Sequence, residues 1–107
     1  MKRSNKIKAL YIIVNAGFAE EVVEIAREAG AGGATIMNAR GIGAVHKAIM
    51  GITLDAEKEI ILSLVDVNTA EIILEAIEKR LGFKSPAHGI AFMMPVEKMV
   101  GAGKFLP

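Results

Sequence analysis

The stretch IKALYIIVNAGFAEEVVEIAREAG, residues 7–30, changes its hydrophobic period part-way along, and that change decides the fold. Ile7 to Val14 is a run of aliphatic, β-branched and aromatic residues and reads as a buried strand. Beyond Asn15 the period becomes helical. Phe18, Val22, Ile25, Ala26 and Ala29 fall on one face, and Glu20, Glu21, Glu24, Arg27 and Glu28 on the other. Glu20 and Glu21 sit where a helix N-terminus favours anions, and Gly30 is placed to stop the helix.

The same switch recurs in the second half. KEIILSLVD, residues 58–66, is strand-like, and Ala70, Ile73, Leu74, Ile77 and Leu81 then form the apolar face of a helix that Gly82 ends. Asn68 and Glu71 have the spacing of a capping box at its start. Between the halves, ATIMNAR (34–40) reads as a strand, and residues 41–57 have no clean period and read as a loop or extended excursion. GFKSPAH (82–88) is a turn before the last strand, GIAFMMPV (89–96).

Strand–helix–strand–strand–helix–strand predicts an α+β fold over a single domain, residues 1–107. It is the ferredoxin-like βαββαβ arrangement, a four-stranded antiparallel sheet with both helices on one face. The strands are nearly continuously apolar at Ile12–Val14, Ile60–Leu62 and Phe92–Met94. Such strands are buried on both sides, yet two helices cover only one. The second face is therefore expected to meet other subunits.

Composition narrows the function. Thirteen Lys+Arg stand against twelve Asp+Glu, a net charge of +1 that gives no broad field for nucleic acid. No cysteine is present, so disulfides, thiolate metal sites and cysteine nucleophiles are excluded. The basic start MKRSNKIK is followed by an apolar run that is short and has no small-residue cleavage site. No stretch approaches the ~18 apolar residues of a membrane span. The expectation is a cytoplasmic protein with no direct membrane insertion.

Chemistry-bearing groups are sparse. A metal site wants about three or four converging ligands, and the chain offers only His46 and His88 beside carboxylates such as Glu59 and Asp66. Ser4, Ser63 and Ser85 lack an activating neighbour in the sequence. The six methionines suit gap-filling in core or interface. Neither an enzyme nor a resident metal is expected. EAGAGGATIMNARGIG, residues 28–43, holds five of the eleven glycines, which raises a phosphate loop. The dinucleotide fingerprint fails, because it must open a helix and its third glycine position is Thr35; no Gly-Lys-Ser/Thr of a Walker loop follows either. On turn chemistry alone the segment reads as a helix stop and a tight turn, with a ligand loop left open.

EAGAGGATIMNARGIG, KEIILSLVD and HGIAFMMPVEKM on a βαββαβ frame together resemble the PII nitrogen-regulatory signal-transduction proteins, from about Ile7 to Met99. Gly30, Gly33 and Thr35 match the family's Gly-x-x-Gly-x-Thr turn, and Gly41 and Gly43 match its Gly-x-Gly. Ala87-His88-Gly89-Ile90 stands at the Gly-Asp-Gly-Lys position, before Pro95-Val96-Glu97. The resemblance implies a homotrimer with sheets facing inward and ATP or ADP between subunits. Gly33, Ala34, Thr35, Gly41, Gly43, Lys58, His88, Gly89 and Ile90 would line that cleft. It also implies a loop between the second and third strands that docks on a membrane transporter or metabolic enzyme.

This chain departs from the family's basic set. Ala44-Val45 replaces an Arg-Gln pair, Ile90 replaces a lysine, and Gly101 and Gly103 stand roughly where the family has two arginines. Lys58 is kept, and His88, Arg40 or Lys104 are candidate substitutes. The loop, Ala44 to Glu57, is short and has no tyrosine, since Tyr11 is the only one, so a tyrosine-modification switch cannot operate there. A CutA-type trimeric divalent-metal-tolerance protein shares the fold and is the alternative.

Overall fold

The computed structural model describes residues 7–42, 48–49, 52–53 and 56–101. In chain order these form β1 (Ile7–Asn15), α1 (Ala19–Glu28), β2 (Thr35–Gly41), β3 (Ala48–Ile49), β4 (Ile52–Thr53), β5 (Ala56–Asp66), α2 (Val67–Leu81) and β6 (Ile90–Pro95). Four strands make one antiparallel sheet in the order β2-β5-β1-β6. The expected βαββαβ frame is present, with β5 starting at Ala56 rather than Lys58. Inside the stretch read as an excursion, β3 pairs with β4 as a separate two-stranded ladder. Strands of two residues are too short to leave a period in the sequence.

Register sorts the residues by face. Opposed residues of an antiparallel pair share a face, and Leu10 lies opposite Ser63 and Met93, Ile12 opposite Ile61 and Ala91. Leu10, Ile12, Val14, Ile61 and Val65 pack with Val22, Ile25 and Ala26 of α1 and with Ala70, Ile73, Ile77 and Leu81 of α2 in one core. Both helices therefore cover the same face, as their apolar stripes require. An exposed ion pair, Arg80 to Glu21 at 3.6 Å, crosses between them.

The helix ends explain how the chain turns. Gly30 at φ +107° lets its own N–H reach the Arg27 carbonyl (3.0 Å) and Ala31 N–H reach Ala26 (2.9 Å), the paired bonds of a Schellman stop. α2 starts differently from the sequence reading. Strand β5 runs straight into it, and Asp66, not Asn68, is the cap, its Oδ1 accepting from Thr69 N–H at 2.8 Å. Asn68 lies inside the first turn, so the Asn68–Glu71 box does not open the helix. α1 has no local side-chain cap. Glu59 of β5 supplies one from about forty residues away, its Oε1 accepting from Gly17 N–H (2.9 Å) and Ala19 N–H (3.3 Å).

No helix among the described residues covers the other face. Ala9, Tyr11 and Ile13 lie there with Ile60, Leu62 and Leu64 of β5 and Ile90, Phe92 and Met94 of β6. Tyr11 and Phe92 stack with centroids 5.4 Å apart and planes 12° apart. Ile90 stays 50% exposed, Met94 46% and Phe92 41%, values that leave a continuous apolar surface open on the single chain.

Candidate functional site

The residues implied as cleft-lining do not converge within one chain. Gly33, Ala34 and Thr35 enter β2, one edge of the sheet, and His88, Gly89 and Ile90 enter β6, the opposite edge. Three strand spacings separate those edges, about 14 Å. Gly41 and Lys58 lie at a third place, where β2 ends and β5 begins. Gly43, His46 and Lys104 lie outside the described residues, as does most of the Ala44–Glu57 loop.

At the β2 edge, α1 has just been stopped at Gly30 and the chain turns back through Gly32 and Gly33. Buried Ser63 on β5 fixes the turn by donating its Oγ hydrogen to the Gly33 carbonyl at 2.7 Å. A cleft of about 320 Å³ is lined by Gly33, Ala34, Thr35, Leu62, Ser63 and Leu64. Its lining is uncharged, so it can hold a flat or apolar group, with the hydroxyl of Thr35 as a polar contact. Ser63 was not picked out from the sequence as a site residue. Its only signal there is a hydroxyl inside the apolar run of residues 60–65.

At the β6 edge the chain makes a tight turn after α2. Ser85 N–H donates to Gly82 O, His88 N–H to Ser85 O and Gly89 N–H to Leu81 O, at 2.9, 3.0 and 2.8 Å. The Ser85 hydroxyl also donates to Gly82 O (2.7 Å) and accepts from Ala87 N–H (3.2 Å). Gly89 is buried, and a Cβ there would run into the Leu81 carbonyl oxygen. Glycine at 89 thus has a packing reason that holds with or without a ligand. His88 takes φ +48° and tilts against Phe83 (5.8 Å, 46°), with both rings exposed. Ile90 lies opposite Ile13 on the uncovered sheet face and carries no charge there.

At the third place, Lys58 Nζ donates to Asn15 Oδ1 at 2.6 Å, and Asn15 Nδ2 donates to Pro86 O at 2.8 Å. The stem of Lys58 passes over Gly41, where a Cβ would lie 2.9 Å from Lys58 Cε. Asn15 is a further residue the sequence reading missed; a polar residue closing an apolar strand was its signal. Among the described residues, no three of His, Asp and Glu come together to hold a metal ion. No helix among them is long and apolar enough to cross a membrane.

The model of the family described as Nitrogen regulatory protein P-II matches residues 7–102. The chain belongs to the P-II family. Solved structures agree on the fold. GlnK of B. subtilis, in complex with ATP, superposes with a TM-score of 0.72 at 15% identity, covering 94% of this chain and 93% of its own. A PII-like signaling protein from Thermus thermophilus gives 0.65 at 23%, covering 82% and 84%. CPII, a nitrogen regulatory PII-like protein from Thiomonas intermedia bound to ADP, AMP and bicarbonate, gives 0.63 at 21%, covering 82% and 87%. No curated protein matches the chain by sequence. At these identities the likeness carries the fold, and P-II membership places the chain among signalling regulators.

Proposed function

We propose that this P-II protein is a homotrimeric regulator that binds an adenine nucleotide, ATP or ADP, in clefts between subunits. One observation carries the reading. The implied site residues are split between opposite edges of a sheet whose uncovered face is apolar. Packing three such faces inward removes that surface from water and brings the β2 edge of one chain toward the β6 edge of the next. Gly33, Ala34 and Thr35 then form one wall, and His88, Gly89 and Ile90 the other. Gly41 and Lys58 stand at the root of the segment joining β2 to β5, and Gly43 follows two residues after Gly41 in the sequence. The nucleotide-bound GlnK and CPII neighbours support an adenine nucleotide as the small-molecule effector. That segment docks on a membrane transporter or metabolic enzyme in the cytoplasm, and bound nucleotide changes whether it does so.

Native mass spectrometry of freshly purified protein tests both parts together. A mass of three chains with an added nucleotide is the expected result, followed by calorimetric titration with ATP, ADP and AMP. A monomer overturns the assembly. A trimer that takes up none of the three nucleotides overturns the ligand.

A further inference from the structure

We propose that Asn15 is a positioning residue that locks Lys58 and the 85–89 turn together, so that a change at either is felt at the other. Three segments far apart in sequence meet at its amide. Its backbone N–H donates to Ala87 O at 2.8 Å, and its Nδ2 donates to Pro86 O at 2.8 Å. A carbonyl can only accept, so the amide must turn its NH₂ toward Pro86 and its Oδ1 toward the Lys58 ammonium, 2.6 Å away. No other side chain of this size satisfies both. Aspartate keeps the lysine and repels the carbonyl, and leucine keeps neither.

Holding a lysine in one conformation costs rotamer entropy, and the chain reinforces it. Gly41 leaves the groove along which the Lys58 stem lies, since a Cβ there would press on Cε at 2.9 Å and on Cγ at 3.2 Å. Next to it, Ala16 N–H donates to Glu57 O at 2.9 Å, tying the end of β1 to the start of β5 by backbone as well. An ammonium at the root of the β2–β5 segment is thus linked through one side chain to the turn that leads into Gly89. An anion that draws Lys58 away from Asn15 releases the amide and, with it, the hold on Pro86.

The ligand arm of the test rests on the proposed function, and the exchange arm does not. Amide hydrogen exchange would be followed at Asn15, His88 and Gly89 in wild type, Asn15→Leu, Lys58→Met and the double variant. Among the described residues Lys58 reaches the turn through Asn15, so Lys58→Met should speed exchange at His88 and Gly89 severalfold, as Asn15→Leu does. Wild-type exchange in Lys58→Met overturns the inference, whatever the ligand. Should Asn15→Leu fail to fold, Asn15→Asp takes its place, keeping the lysine contact while loosening the turn. In calorimetry with ADP, each single variant should weaken binding about tenfold and the double variant no further, because both remove one linked unit. Additive losses, about hundredfold in the double variant, also overturn it. Wild type that binds none of ATP, ADP and AMP refutes the ligand of the proposed function, and the exchange rates still decide the role of Asn15.

Discussion

Phe92→Glu probes the uncovered face most sharply. Phe92 stacks on Tyr11 and keeps 41% of its surface open on the single chain. Of the roughly 200 Å² a phenylalanine can bury, about 80 Å² is thus left for neighbouring subunits. At about 25 cal/mol per Å² this contributes about 2 kcal/mol per subunit, or about 6 kcal/mol per trimer. That alone weakens assembly by about four orders of magnitude, before the cost of bringing three carboxylates into an apolar centre. Within the chain, the substitution loses one aromatic stack worth about 1 kcal/mol and, at the same coefficient, up to about 3 kcal/mol from the roughly 120 Å² already buried there, and it leaves the helix-side core untouched. Sedimentation at micromolar concentration should then give a folded monomer with wild-type circular dichroism, and calorimetry should give no nucleotide binding. A trimer in Phe92→Glu, or a wild-type protein that is already monomeric, would refute the inward-facing sheet.

Gly89→Ala should destabilise the fold by about 2–4 kcal/mol, since its methyl meets a backbone carbonyl that cannot swing aside; a wild-type urea midpoint would contradict the packing described for the 85–89 turn. Glu59→Ala should cost about 1–2 kcal/mol by removing the remote cap of α1, whereas Glu59→Gln, which keeps an acceptor, should lose less. Equal losses in the two variants, read by chemical denaturation, would show that the cap is not the reason for a glutamate at 59.

Elements carried by local periodicity were legible in the sequence. The switch from strand to helix after Asn15, the apolar stripes Val22–Ile25–Ala26 and Ala70–Ile73–Ile77–Leu81, and the stop at Gly30 all depend on residues within a few positions of each other. Features made by distant residues were not. Glu59 caps a helix some forty positions earlier, and nothing near Ala19 announces it. Asp66 caps α2 because β5 continues into the helix without a loop, which moves the cap two residues ahead of the Asn68 that local spacing favours. The glycines divide the same way. Gly30 could be read as a left-handed stop, but the need for glycine at 89 comes from the Leu81 carbonyl. The residues proposed for the site could be named from the sequence but not placed, because periodicity alone does not show that β2 and β6 lie on opposite edges.

That division between edges has a genetic consequence. In the proposed trimer each cleft would draw one wall from each of two neighbouring chains, so damage confined to one wall would not be damage to the whole subunit. Co-expressing one chain altered at Thr35 with another altered at His88 would let some neighbouring pairs present two intact walls. With random mixing about a quarter of the clefts should be whole, although neither chain alone forms any. Two inactive alleles would then partly rescue one another, while a chain damaged at both edges would spoil the clefts on either side of it and act dominantly over its normal neighbours.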